Sequence, residues 1–148
     1  MHIKNILIST LLSIILFSLP AHAEQSQTFG DYTVHYIALN SQVLNANVAN
    51  SYKIKRSKNR ALLNISVLKK QEDTTVKPVK AKVTATTTNL TSQLRELKVR
   101  ELEDAGAIYY IAEIPVRNEE TLTFKIKVQP LDSDESYELM FNQQFFTE

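Results

Sequence analysis

Five cations fall within eight residues in Lys53-Ile54-Lys55-Arg56-Ser57-Lys58-Asn59-Arg60, with no acid among them. Ammonium and guanidinium groups at this density can grip a phosphate, an anionic glycan or an acidic protein surface. The same residues also suit a solvated loop whose arginines neutralise carboxylates of their own domain. Lys53, Lys55, Arg56, Lys58 and Arg60 are the candidate binding residues, and the expected partner is an envelope protein or an anionic ligand.

Acid–base chemistry would need carboxylates in apolar surroundings. Glu101 and Glu113 are the least turn-like acids, and Glu113 interrupts the apolar run from Ala107 to Val116. Burial there would require an ion pair or raise the carboxyl pKa. Tyr109 and Tyr110 are adjacent, so on a strand they face opposite ways, and Tyr110 joins Glu101 and Glu113 as a secondary candidate. A carboxylate-dependent enzyme acting on a cell-wall or glycan substrate is therefore the alternative to a binding module. No catalytic residue is assigned, and whether the chain is an enzyme stays open, with a non-enzymatic role preferred.

Other chemistries lack their parts. The chain has no Cys, so disulfides, thiolate zinc sites and iron–sulfur ligation are excluded. His35 is the one His beyond residue 23, which leaves no His triad and no two-His metal site there. Its expected place is the outer face of a strand beside Asp31 and Thr33. There is no Gly-rich phosphate loop, no G-x-S-x-G and no H-E-x-x-H. No metal or cofactor is implied.

The elements that must position these groups read mainly as strands. Val79, Ala81, Val83 and Ala85 alternate with Lys80, Lys82, Thr84 and Thr86, and Leu122, Phe124, Ile126 and Val128 alternate with polar neighbours. Period two with one wet face points to antiparallel sheets. Asp31 to Leu39, Arg60 to Lys69 and Tyr137 to Phe146 alternate similarly. Ala107 to Val116 is apolar on both faces, which predicts a doubly covered central strand. Ser41 to Tyr52 reads as a short helix capped by Ser41 and lying on a sheet edge. Residues 90–102 fit helix or strand, with a strand over 94–102 preferred. The fold expected is all-β, an immunoglobulin-like antiparallel β-sandwich of about seven strands with one short helix. With Gly30 and Gly106 the only glycines, and neither after Asn or Asp, its turns are expected to be longer than two-residue primed hairpins.

Residues 1–23 read as an export signal. Lys4 precedes the apolar run Ile6–Leu19, and Pro20 and Ala21-His22-Ala23 complete a cleavage site. Cleavage after Ala23 would leave residues 24–148 as a single periplasmic domain with no stable membrane insertion. Without Lys4 the 17 basic residues become 16, equal to the 16 acidic ones. That neutrality gives no electrostatic case for nucleic acid.

Three stretches carry a resemblance. Tyr32-Thr33-Val34-His35-Tyr36 to Asn40-Ser41, Arg56 to Val67, and Gly106 to Glu113 resemble the small secreted proteobacterial proteins grouped as domain of unknown function 4426. The resemblance implies a periplasmic β-rich domain and brings no activity, ligand or catalytic residue. A third possibility is an assembly role, with the C-terminal segment Tyr137–Phe146 completed by a partner strand.

Overall fold

The structure, a computed structural model, describes residues 24–148, so the export signal expected over residues 1–23 lies outside the described residues. Ten strands form two antiparallel sheets. The first sheet joins β1 (Gln25–Phe29), β2 (Tyr32–Asn40), β3 (Arg60–Lys70), β8 (Ala107–Pro115) and β7 (Arg100–Asp104) in that order, with β4 (Val76–Pro78) paired to the far end of β3. The second runs β10 (Tyr137–Phe145), β9 (Glu120–Pro130), β5 (Ala81–Asn89), β6 (Leu94–Glu96). The two sheets form a sandwich, as the alternation predicts, but with ten strands rather than seven.

Period two places the core. Val34, Leu63, Ile65, Val67, Leu122, Phe124, Ile126 and Val128 are fully buried between the sheets, while Thr33, Lys125 and Lys127 turn outward. Each large side chain so buried contributes about 1.5–3 kcal/mol. An aromatic row lines the β2/β10 side: Tyr137 stacks on Phe29 at 4.7 Å, and Phe141 stacks on Phe124 at 4.8 Å.

Two strands carry no apolar alternation to announce them. Gln25-Ser26-Gln27-Thr28-Phe29 is polar and exposed, and pairs along β2; Val76–Pro78 has only three residues. The segment expected as one strand over 94–102 is two strands in different sheets. β6 pairs β5 and β7 pairs β8, so Leu97 and Val99 cross between the sheets and pack against the core. That crossing explains a pattern that fits neither period.

Two hairpins are tighter than expected. Phe29 pairs Tyr32 across Gly30-Asp31, and Asp104 pairs Ala107 across Ala105-Gly106. Gly30 has φ 57°; in the second turn both Ala105 (φ 48°) and Gly106 (φ 84°) are left-handed. An alanine takes the position usually given to Asn or Asp, at a cost of about 1–2 kcal/mol.

Residues 41–54 lie on the outer face of the first sheet rather than along its edge. Ser41–Val43 forms a 3₁₀ turn and Ala46–Ser51 the helix α1. Asn40 and Asn45 are the caps: their side chains accept from the Gln42 and Asn47 backbone N–H groups. Ser41, expected as the cap, is buried instead. Ala49 and Ile54 pack on Leu62 and Ile111 in a second core, with Tyr109 beside them. β8 is thereby covered on both faces, as its composition predicts, with Tyr110 in the main core and Tyr109 in the second.

Candidate functional site

The basic loop begins where α1 ends. The Ile54 N–H bonds back to the Ala49 carbonyl at 2.8 Å, and Lys53 between them takes a left-handed φ of 56°. That reversal drops Ile54 into the second core and leaves Lys53 and Lys55 exposed on either side of it.

The loop backbone is then tied down in several places. Ser41 Oγ lies 2.9 Å from the Lys55 carbonyl and 3.2 Å from the Ser57 carbonyl, and accepts from the Ser57 N–H at 3.0 Å. Asn40 Nδ2 donates to the Lys58 carbonyl at 2.6 Å. Glu113 Oε1 accepts from the Lys55 N–H at 3.0 Å. The Val116 N–H reaches the Asn59 carbonyl at 2.9 Å. Backbone groups are thus satisfied inward while charged side chains point outward.

The five cations divide. Arg60 Nε faces Glu113 Oε1 at 3.6 Å, and both side chains are largely covered. Lys53, Lys55, Arg56 and Lys58 are exposed and have no ion pair among the described residues. Arg56 donates one hydrogen bond to the Gln42 carbonyl at 3.0 Å. The site is therefore four residues of the expected five; Arg60 serves the alternative reading, neutralising a carboxylate of its own domain.

The secondary candidates separate by face. Tyr110 and Ala112 point into the main core, so Glu113 points outward and anchors the loop. Glu101 pairs with Tyr110 in register and accepts from its hydroxyl at 3.2 Å on the inner side. Glu101 and Glu113 therefore lie on opposite faces of one sheet and cannot act as a carboxylate pair. Lys80 bridges Glu101 at 3.1 Å and Glu103 at 2.6 Å. The ammonium holds Glu103 below the usual carboxylate range, while burial pushes the Tyr110 hydroxyl up. His35 sits on the outer face of β2 as expected, 3.7 Å from Glu24.

Beside the loop, α1 and the outer sheet face enclose a cleft of about 290 Å³. Leu44, Val48, Tyr52 and Ile54 line one side, and Leu62, Leu102, Tyr109 and Ile111 the other. Asn64 also lines it, and its Oδ1 is buried with no hydrogen-bond partner. Such an orphaned acceptor costs about 1–3 kcal/mol. Sequence reasoning missed Asn64, although a lone amide in Ala61-Leu62-Leu63-Asn64-Ile65 is a readable signal. It also missed Ser41 and Asn40 as latches, because their partners are backbone groups, which no side-chain pattern marks.

The described residues contain no group of three or more His, Cys, Asp or Glu able to hold a metal ion, and no helix long and apolar enough to cross a membrane.

The family described as domain of unknown function (DUF4426) matches residues 26–148. The fold is similar to the crystal structure of a DUF4426 family protein from Pseudomonas aeruginosa PAO1, with a TM-score of 0.72 and 37% identity, covering 83% of this chain and 94% of that one. It is also similar to FetP of uropathogenic E. coli strain F11, recombinantly expressed in the periplasm, at a TM-score of 0.59 and 10% identity over 84% and 94% of the two chains. A copper-bound variant of FetP gives a TM-score of 0.54 and 9% identity over 83% and 90%. These last two likenesses concern the fold alone. No curated protein matches.

Proposed function

The chain belongs to the DUF4426 family, and from that premise we propose that it is an exported, non-enzymatic binding module that engages an anionic partner through Lys53, Lys55, Arg56 and Lys58. One observation carries the reading: four exposed cations without carboxylate partners stand on a backbone already pinned by Ser41, Asn40 and Glu113. A loop ordered beforehand loses little conformational entropy on binding. Unpaired cations speed encounter with an acidic surface and set its register. The signal-like pattern of residues 1–23 supports a periplasmic address.

The copper of FetP is not carried over. Its donors would have to come from residues that do not cluster among those described here. A Glu101–Glu113 carboxylate pair is not carried forward either, because the two face opposite ways.

The test is crosslinking capture from periplasmic and outer-membrane extract. The baits are the mature protein and a variant with Lys53, Lys55, Arg56 and Lys58 changed to Gln, both checked for equal melting temperature. A partner held by the first and lost by the second is expected. Equal capture by both would overturn the site.

A second reading has one observation behind it. β10 ends the second sheet with nine residues and neither Pro nor Lys, features that usually blunt an edge. A partner strand could add there. Slowed amide exchange along Tyr137–Phe145 in the presence of extract is the expected sign; unchanged exchange would count against it.

A further inference from the structure

The cleft beside the loop has the chemistry of a ligand seat. At about 290 Å³ it lies at the small end of ligand pockets. Its walls are apolar, and its one buried orphan is an acceptor, Asn64 Oδ1. Three exposed cations neighbour the lining residues. Ile54, which lines the cleft, is flanked by exposed Lys53 and Lys55. Arg100, on the same outer face, donates to the carbonyl of Tyr52, another lining residue. Two acids lie near these cations and both are engaged: Asp104 by the Tyr52 hydroxyl, and Glu113 by the Lys55 N–H and Arg60.

We propose that this cleft binds a small amphipathic anion, with an acyl or aryl body against Leu62, Tyr109 and Ile111, an N–H or O–H donor to Asn64 Oδ1, and an anionic head at Lys53, Lys55 and Arg100. The head-group part rests on the reading of the loop as an anion contact; the apolar body and the donor rest on the cleft itself. A polar body would leave the apolar walls unmatched, and a ligand without a donor would leave Asn64 orphaned. A neutral ligand would make no use of the three neighbouring cations. α1 is a one-and-a-half-turn roof whose Val48 is half exposed, so entry needs no movement of either sheet.

The experiment is an NMR titration of the mature protein with N-octanoylglycine, which combines an alkyl chain, an amide N–H and a carboxylate. Saturable shifts at Asn64, Tyr109 and Ile111 are expected at millimolar concentrations or below. Asn64→Leu should weaken binding about tenfold, the worth of one hydrogen bond. Val48→Trp, at a half-exposed site, should close the mouth and abolish the shifts. No saturable shift, or binding unchanged in both variants, overturns the proposal. Binding unchanged in the four-cation Gln variant with Arg100→Gln added overturns the head-group assignment and weakens the loop reading, while the Asn64 and Val48 results still judge the cleft.

Discussion

Glu113 shows how one residue can be read two ways from sequence and one way from structure. A carboxylate in an apolar strand suggests catalysis. Here it accepts the Lys55 N–H and faces Arg60, so it organises the loop. Glu113→Ala would leave the Lys55 N–H without its acceptor and the half-buried Arg60 without its counter-ion. We expect a loss of about 1–3 kcal/mol in chemical denaturation, with faster amide exchange confined to residues 55–60. Unchanged stability would contradict its role as an anchor. A second residue-scale prediction concerns Asp132. Its carboxylate accepts from Lys69 Nζ at 2.6 Å and from the Tyr32 hydroxyl at 2.7 Å, which hold its pKa below the usual carboxylate range. A lowered acid stabilises the fold above its ordinary value of about 3.9 and loses that stabilisation as pH falls through the lowered one. Lys69 is pushed up to about 12 by the same contact, so its share persists below its ordinary value and fades as pH rises through the raised one. Asp132→Asn should flatten both limbs of the stability–pH curve; an unaltered acid limb would refute the assignment.

The elements divide between those that sequence patterning exposes and those it hides. β9 is legible because one face is Leu, Phe, Ile and Val and the other Thr and Lys, and β5 because Ala81, Val83 and Ala85 alternate with Lys and Thr. β8 is legible because Ile111 and Tyr109 are as apolar as Tyr110 and Ile114, and each face has its own core. β1 is hidden because an edge strand that buries almost nothing needs only backbone pairing. The β6–β7 crossing is hidden because Leu97 and Val99 serve a sheet switch, for which neither period applies. The candidate site is legible as a run of cations, but not in which of them stay free. Only the pairing of Arg60 with Glu113, on a neighbouring strand, removes one of the five. Ser41 joins the 3₁₀ turn to the loop. Ser41→Ala should cost about 1–3 kcal/mol, since it orphans the Ser57 N–H and a loop carbonyl, and should weaken partner capture without changing any charge. Full capture at unchanged stability would show that the latch is dispensable. At the other end of the sheet, Ala105→Gly should relieve the left-handed alanine and raise the denaturation midpoint by about 0.5–1 kcal/mol equivalent. A lower midpoint would mean that the turn is not strained.

At the scale of the molecule, the main core and the proposed binding surface are set apart. The inter-sheet core and the aromatic row hold a cysteine-free domain together. The first sheet's outer face carries the second core, the cleft and the loop. Four substitutions in that loop therefore need not disturb the fold. The neutral balance of residues 24–148 makes the local excess of charge in the loop matter, because no general positive field competes with it. Export is testable independently: N-terminal sequencing of protein from the periplasmic fraction should begin at Glu24, and a chain retaining Met1 would contradict cleavage. The most direct measurement compares three baits in envelope capture: the mature protein, the Lys53, Lys55, Arg56 and Lys58 to Gln variant, and Arg60→Gln alone. The account predicts that the four-residue variant loses its partner in a salt-sensitive manner while Arg60→Gln keeps much of it at reduced stability. Capture that survives the four changes, or is lost only with Arg60, would contradict it.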